Sequence, residues 1–168
     1  MEGNYSSRKL EASLRSEKTS TVLTALFELK DTGNVSILPV LLELLSASPD
    51  EQIEKEITDI LNNLKVQKAV PVLMEALQNP EYISIRKKII TACWQNGLNY
   101  KNQLPVFVDL VIQEEWETGF EAFTVIENME EYPDREIIDL AVRKIQDALP
   151  ATEGKKKYFL QEILILIC

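Results

Sequence analysis

The chain has 168 residues, 45% of them hydrophobic, with five glycines, no histidine and a net charge of −9. That is enough chain to bury a core without disulfide or metal staples, and the scarcity of glycine argues against a disordered or turn-rich β protein. The missing histidine removes the commonest general acid–base, the Ser–His and Cys–His pairs and the most frequent metal ligand, so composition points away from most catalysis.

Residues 1–18 are polar and mixed in charge, unlike a secretory leader. Ser6 or Ser7 can cap a short helix carrying Leu10 and Leu14. A longer helix is expected over residues 17–30, with Val22, Leu23, Leu26, Phe27 and Leu29 on one face and Gly33 placed to end it. Helices follow over 35–47 and 50–64, separated by Ser48-Pro49-Asp50, then over 67–78 and 82–96, separated by Asn79-Pro80 and closing at Gly97. The remaining helices are expected over 102–114, 116–130, 135–149 and 155–168, the last two parted by a break at 150–154. No segment alternates with period two for long enough to form a strand, so the reading is all-α.

Three of these segments share one pattern: Leu38-Pro39-Val40, Val70-Pro71-Val72 and Leu104-Pro105-Val106, with the prolines 32 and then 34 residues apart. Each opens an amphipathic helix and each is followed by a second one. A repeat of this length means stacked helix pairs, each burying its apolar face against its neighbours. Proline is tolerated in the first turn of a helix, where its missing N–H has no partner to lose, so all three are expected there or at a bend.

Helix pairs of this period, with a leucine-rich first helix around proline and a short Pro/Asp turn, resemble HEAT and HEAT-like repeats. The resemblance is best over 31–45, 68–98 and 104–112. It extends over the chain as about five pairs, at 6–33, 34–65, 66–98, 99–132 and 133–168. It implies a single-domain right-handed α–α superhelix whose second helices line a concave surface that holds another macromolecule. It therefore implies a non-catalytic scaffold, although the family also includes DNA-processing and lyase-type enzymes and assembly factors. Asn79-Pro80-Glu81 followed by Ile85-Arg86 looks like the family's turn and second helix, and Arg86 matches an arginine that often pairs between repeats. Glu54 takes that place in the preceding pair, so stacking is expected to rest mainly on apolar packing.

Charge is concentrated. Between Glu114 and Glu136 there are nine acidic residues and one base, Arg135. Such a field repels phosphate backbones and disfavours nucleic acid as a partner. Within it, Trp116, Glu117, Glu121 and Tyr132 combine aromatic area with steering charge, as a surface for a basic protein partner requires, and Trp94 is a further aromatic anchor on the expected concave face. Phe120, Phe123, Ile126 and Met129 are expected in the core. Glu117 with Glu121, and Glu127 with Glu130 and Glu131, could in principle share a proton or a hard cation. No loop has the oxygen spacing of a calcium site, and neither a metal nor a cofactor is expected. The basic clusters Arg86-Lys87-Lys88 and Lys155-Lys156-Lys157 are expected as helix surface charge.

The last helix is apolar around nearly its whole circumference, so it either folds back into the core or meets a second copy or a partner; the expectation is self-association as a homodimer, through Phe159, Ile163 and Leu166. The longest apolar run, 163–168, is too short to span a bilayer. A cytoplasmic protein is the expectation. The alternatives are a nucleic-acid-binding HEAT-like protein and a carboxylate-dependent enzyme or enzyme-assembly factor.

Overall fold

The computed structural model describes residues 2–30 and 35–168, with side chains from Ser7 onward. Ten helices occur among them: α1 (Glu2–Leu14), α2 (Thr19–Leu29), α3 (Leu38–Ala47), α4 (Glu51–Asn62), α5 (Ala69–Gln78), α6 (Arg86–Gln95), α7 (Leu104–Gln113), α8 (Trp116–Glu127), α9 (Arg135–Ala148) and α10 (Gly154–Ile167). No strand occurs among the described residues. The chain divides into two compact units, Met1–Leu98 and Asn99–Cys168.

All three repeated prolines fall in the first turn of a helix: Pro39 in α3, Pro71 in α5 and Pro105 in α7. There the ring's fixed φ matches the helix and no hydrogen bond is lost. Asp50 caps α4, its carboxylate accepting from the amides of Gln52 and Ile53 at 2.9 and 3.1 Å, which satisfies two donors that the helix cannot. Gly97 and Gly154 take the left-handed φ of 66° and 62° where the chain turns after α6 and into α10. Two expectations are corrected. The first helix starts at Glu2, so Ser6 and Ser7 lie inside it rather than at its start. The segment 80–85 is a 3₁₀ stretch with a kink at Tyr82, so α6 begins only at Arg86. The turn assigned to Gly33 lies outside the described residues.

In the first unit the odd-numbered helices α1, α3 and α5 pack in one layer and α2, α4 and α6 in another. Leu26, Leu38, Leu41, Ile57, Leu61, Leu73, Ile89 and Ile90 fill the space between them and are almost wholly buried. Each such side chain contributes roughly 1.5–3 kcal/mol of transfer free energy. The second unit repeats the plan with α7 and α9 against α8 and α10, around Leu104, Phe107, Val108, Val111, Ala122, Ile126, Ala141, Ile145, Leu160 and Ile163.

Polar links also join successive pairs. Lys88 pairs with Glu54 at 2.8 Å between α6 and α4, and Lys144 pairs with Asp109 at 2.8 Å between α9 and α7. Lys30 pairs with Glu56 between α2 and α4. An inter-pair ladder therefore exists beside the apolar packing, but lysines carry these rungs. Glu54, which stands where the arginine was expected, is the acceptor of one of them.

Candidate functional site on helices α8 and α10

Helix α8 turns Gly119, Ala122, Phe123, Val125 and Ile126 inward. At 100° per residue that leaves Trp116, Glu117, Phe120, Thr124 and Glu127 on the outward side. Trp116 is 41% exposed and Phe120 45%, so Phe120 is not the core residue its type suggested. Phe123 and Ile126 are buried as expected, and Met129 is half-buried.

Helix α10 lies beside α8 and runs parallel to it, because Lys155 meets Trp116 at the start of both while Phe159 meets Phe120 and Phe123 one turn further on. The Lys155 ammonium stands 3.4 Å from the centroid of a Trp116 ring, a cation–π contact. Phe159 stacks on Phe123 with centroids 5.1 Å apart and approaches Phe120 at 5.6 Å. Tyr158, 57% exposed, continues this aromatic surface on α10. Lys156 turns the other way and donates to the carbonyls of Ile112 and Glu114 at 2.6 and 3.0 Å, placing a cation at the negative end of the α7 dipole. The basic cluster 155–157 is thus partly built into the unit.

The expected site residues are not all brought together. Trp116, Glu117 and Glu121 share α8, with Glu117 exposed and Glu121 half-buried. Tyr132, in the segment between α8 and α9, is half-buried, and burial raises the pKa of its phenol. Trp94 belongs to α6 in the first unit and is half-buried. Of the nine carboxylates in the acidic stretch, Glu131 accepts from Lys101 at 2.7 Å, and that hydrogen bond and the lysine's charge hold its pKa below the ordinary value. The self-association residues need correction. Phe159 and Ile163 are buried against α7 and α8 and cannot meet a second copy; the exposed apolar residues of α10 are Tyr158, Ile165 and Leu166. The sequence pattern missed this because a helix apolar all round does not say which side its neighbours cover.

Among the described residues no group of three or more acidic or cysteine side chains is placed to hold a metal ion, and no helix is long and apolar enough to cross a membrane. A family model for HEAT repeats matches residues 7–94. The chain belongs to the HEAT-repeat family. Its fold class is that of an all-helical solenoid, and HEAT repeats as a class serve protein association.

Two curated relatives of this HEAT-repeat chain carry the name ferrochelatase. One, from Legionella pneumophila strain Paris, is 33% identical over 91 residues, covering 49% of this chain and 27% of that protein. The other, from Legionella pneumophila subsp. pneumophila strain Philadelphia 1, is 33% identical over 72 residues, covering 43% and 22%. The chain therefore spans about a quarter of the length of these relatives. An engineered protein of known crystal structure aligns with a TM-score of 0.48 and 20% identity over 95% of this chain and 78% of its own.

Proposed function

We propose that this chain is a non-catalytic, cytoplasmic scaffold that binds a basic protein partner through the outward side of α8. The observation that carries this reading is the exposure of Trp116 and Phe120 on the same side of one helix as Glu117. Large aromatics left open to solvent supply the area on which protein interfaces concentrate their energy. Carboxylates at the rim set the sign of the partner and speed encounter. Glu121 extends that rim one turn further on, while Trp94 and Tyr132, half-buried, offer less contact area. The same carboxylates repel a phosphate backbone, so the reading does not include nucleic acid. The likeness to proteins named ferrochelatase covers too little of them to support a catalytic step in this chain.

Affinity capture from a lysate of the source organism tests this reading, with the wild type compared against Glu117→Lys combined with Glu121→Lys. A set of basic proteins held by the wild type, released by added salt and lost by the variant is expected. Identical sets on both baits would overturn it.

A further inference from the structure

Where the ends of α2 and α4 meet the start of α3, the first unit holds a cavity of about 640 Å³. Leu29, Ile37, Leu38, Leu41, Ile60 and Leu64 line it. The first four are buried core residues, whereas Ile60 and Leu64 are half-buried and lead outward. Packed interiors leave few gaps of this size, and small-molecule sites fall in this range of volume. Water gains little from aliphatic walls, because it needs several polar partners to settle.

The charged residues of the lining decide what kind of ligand fits. Lys30 and Lys65, both exposed, border the cavity together with Asp59 and Asn63. The side-chain amide of Asn63 already donates to the Asp59 carbonyl at 2.8 Å. Each ammonium has three N–H donors. Lys30 pairs with Glu56, and Lys65 donates to the Asn96 carbonyl at 3.4 Å, which leaves both with donors to spare. The lining thus carries two ammoniums and one carboxylate, a surplus of positive charge in a chain whose net charge is −9.

We infer that this cavity binds a small amphipathic anion, a medium-chain aliphatic carboxylate, with its hydrocarbon tail against the leucines and isoleucines and its head at Lys30 and Lys65. An uncharged chain of the same length leaves the surplus ammonium unmatched, and a cationic head meets it as repulsion. The site lies in the first unit, so the outcome at the α8 surface neither supports nor weakens it.

Calorimetric titration of the full chain with decanoate, octanoate and decanol tests it. Saturable one-to-one binding of decanoate is expected, with a melting temperature that rises with ligand concentration. Octanoate, two methylenes shorter, should bind more weakly by on the order of tenfold. Lys65→Met should weaken decanoate by about fivefold or more and leave decanol unchanged, because only the anion uses the ammonium. Ile60→Trp fills the cavity from its half-buried side and should abolish binding of both. Should that variant unfold, Lys65→Met, at an exposed position, still decides. Absence of saturable decanoate binding up to millimolar concentration overturns the inference. So does decanoate binding that ignores Lys65→Met, or that persists in a folded Ile60→Trp.

Discussion

The side-chain amide of Asn96 donates to the main-chain carbonyl of Leu61, 35 residues upstream, at 3.4 Å. Asn96 is buried, its Oδ1 accepts from the amide of Leu98 at 3.0 Å, and its own carbonyl accepts from Lys65 at 3.4 Å. One residue thus ties the end of α6 to the end of α4 and shapes the turn at Gly97. Replacing it with leucine removes the two side-chain hydrogen bonds, to the Leu61 carbonyl and from the Leu98 amide, and we expect a loss of about 1–3 kcal/mol. Urea unfolding followed by Trp94 fluorescence, in a Trp116→Phe background, reads the first unit alone.

Lys156 does for the second unit what a terminal cap does for a single helix. Its ammonium reaches two carbonyls at the end of α7 from the start of α10, joining elements that are more than forty residues apart. Lys156→Met keeps most of the aliphatic stem and removes the donor. The expected cost is about 1–2 kcal/mol, since hydrogen bonds from a charged group exceed neutral ones. Urea unfolding followed by Trp116 in a Trp94→Phe background checks it, and Lys157→Met, which leaves those two carbonyls satisfied, serves as the control.

Much of the fold was legible in the sequence. The three prolines mark first turns because only there does a missing N–H cost nothing, and Ile53, Ile57 and Leu61 at helical spacing identify the buried side of α4. What was not legible depends on neighbours. Phe120 and Phe123 are the same residue type on the same helix, yet α10 and α7 cover one and leave the other open. Residue type also hid the inter-pair links. A lysine has the reach to pair with Glu54 or Asp109 from the next helix pair, but nothing in its local sequence distinguishes it from a solvated lysine. The candidate site was legible only in part: Trp116, Glu117 and Glu121 stand on one helix, while Tyr158, Lys155 and Ile165 join the surface because α10 folds back alongside.

Glu131 gives the second unit an acid-sensitive contact. Its carboxylate pKa is lowered by the hydrogen bond from Lys101 and by that lysine's charge. A folded-state value below the unfolded one means that the contribution is present above the ordinary carboxylate range and lost as pH falls through the lowered value. The lysine's own pKa is raised by the same contact, and the lysine stays charged throughout the acid range. We expect Lys101→Met to return the Glu131 titration toward the ordinary carboxylate value, as followed by carbon NMR of the side-chain carboxyl. The stability difference between wild type and variant should vanish below the lowered value.

Ile163 and Ile165 stand two residues apart on α10 and report opposite environments. Ile163 is fully buried against the second unit's core, whereas Ile165 is 73% exposed. Truncating Ile163 to alanine removes three buried carbons and leaves a cavity, with an expected loss of about 2–5 kcal/mol. Ile165→Ala removes the same atoms from water-facing surface and should stay within about 0.5 kcal/mol. Chemical denaturation of both variants at low micromolar concentration makes the comparison. Equal losses would mean that α10 turns a different side to α7 and α8.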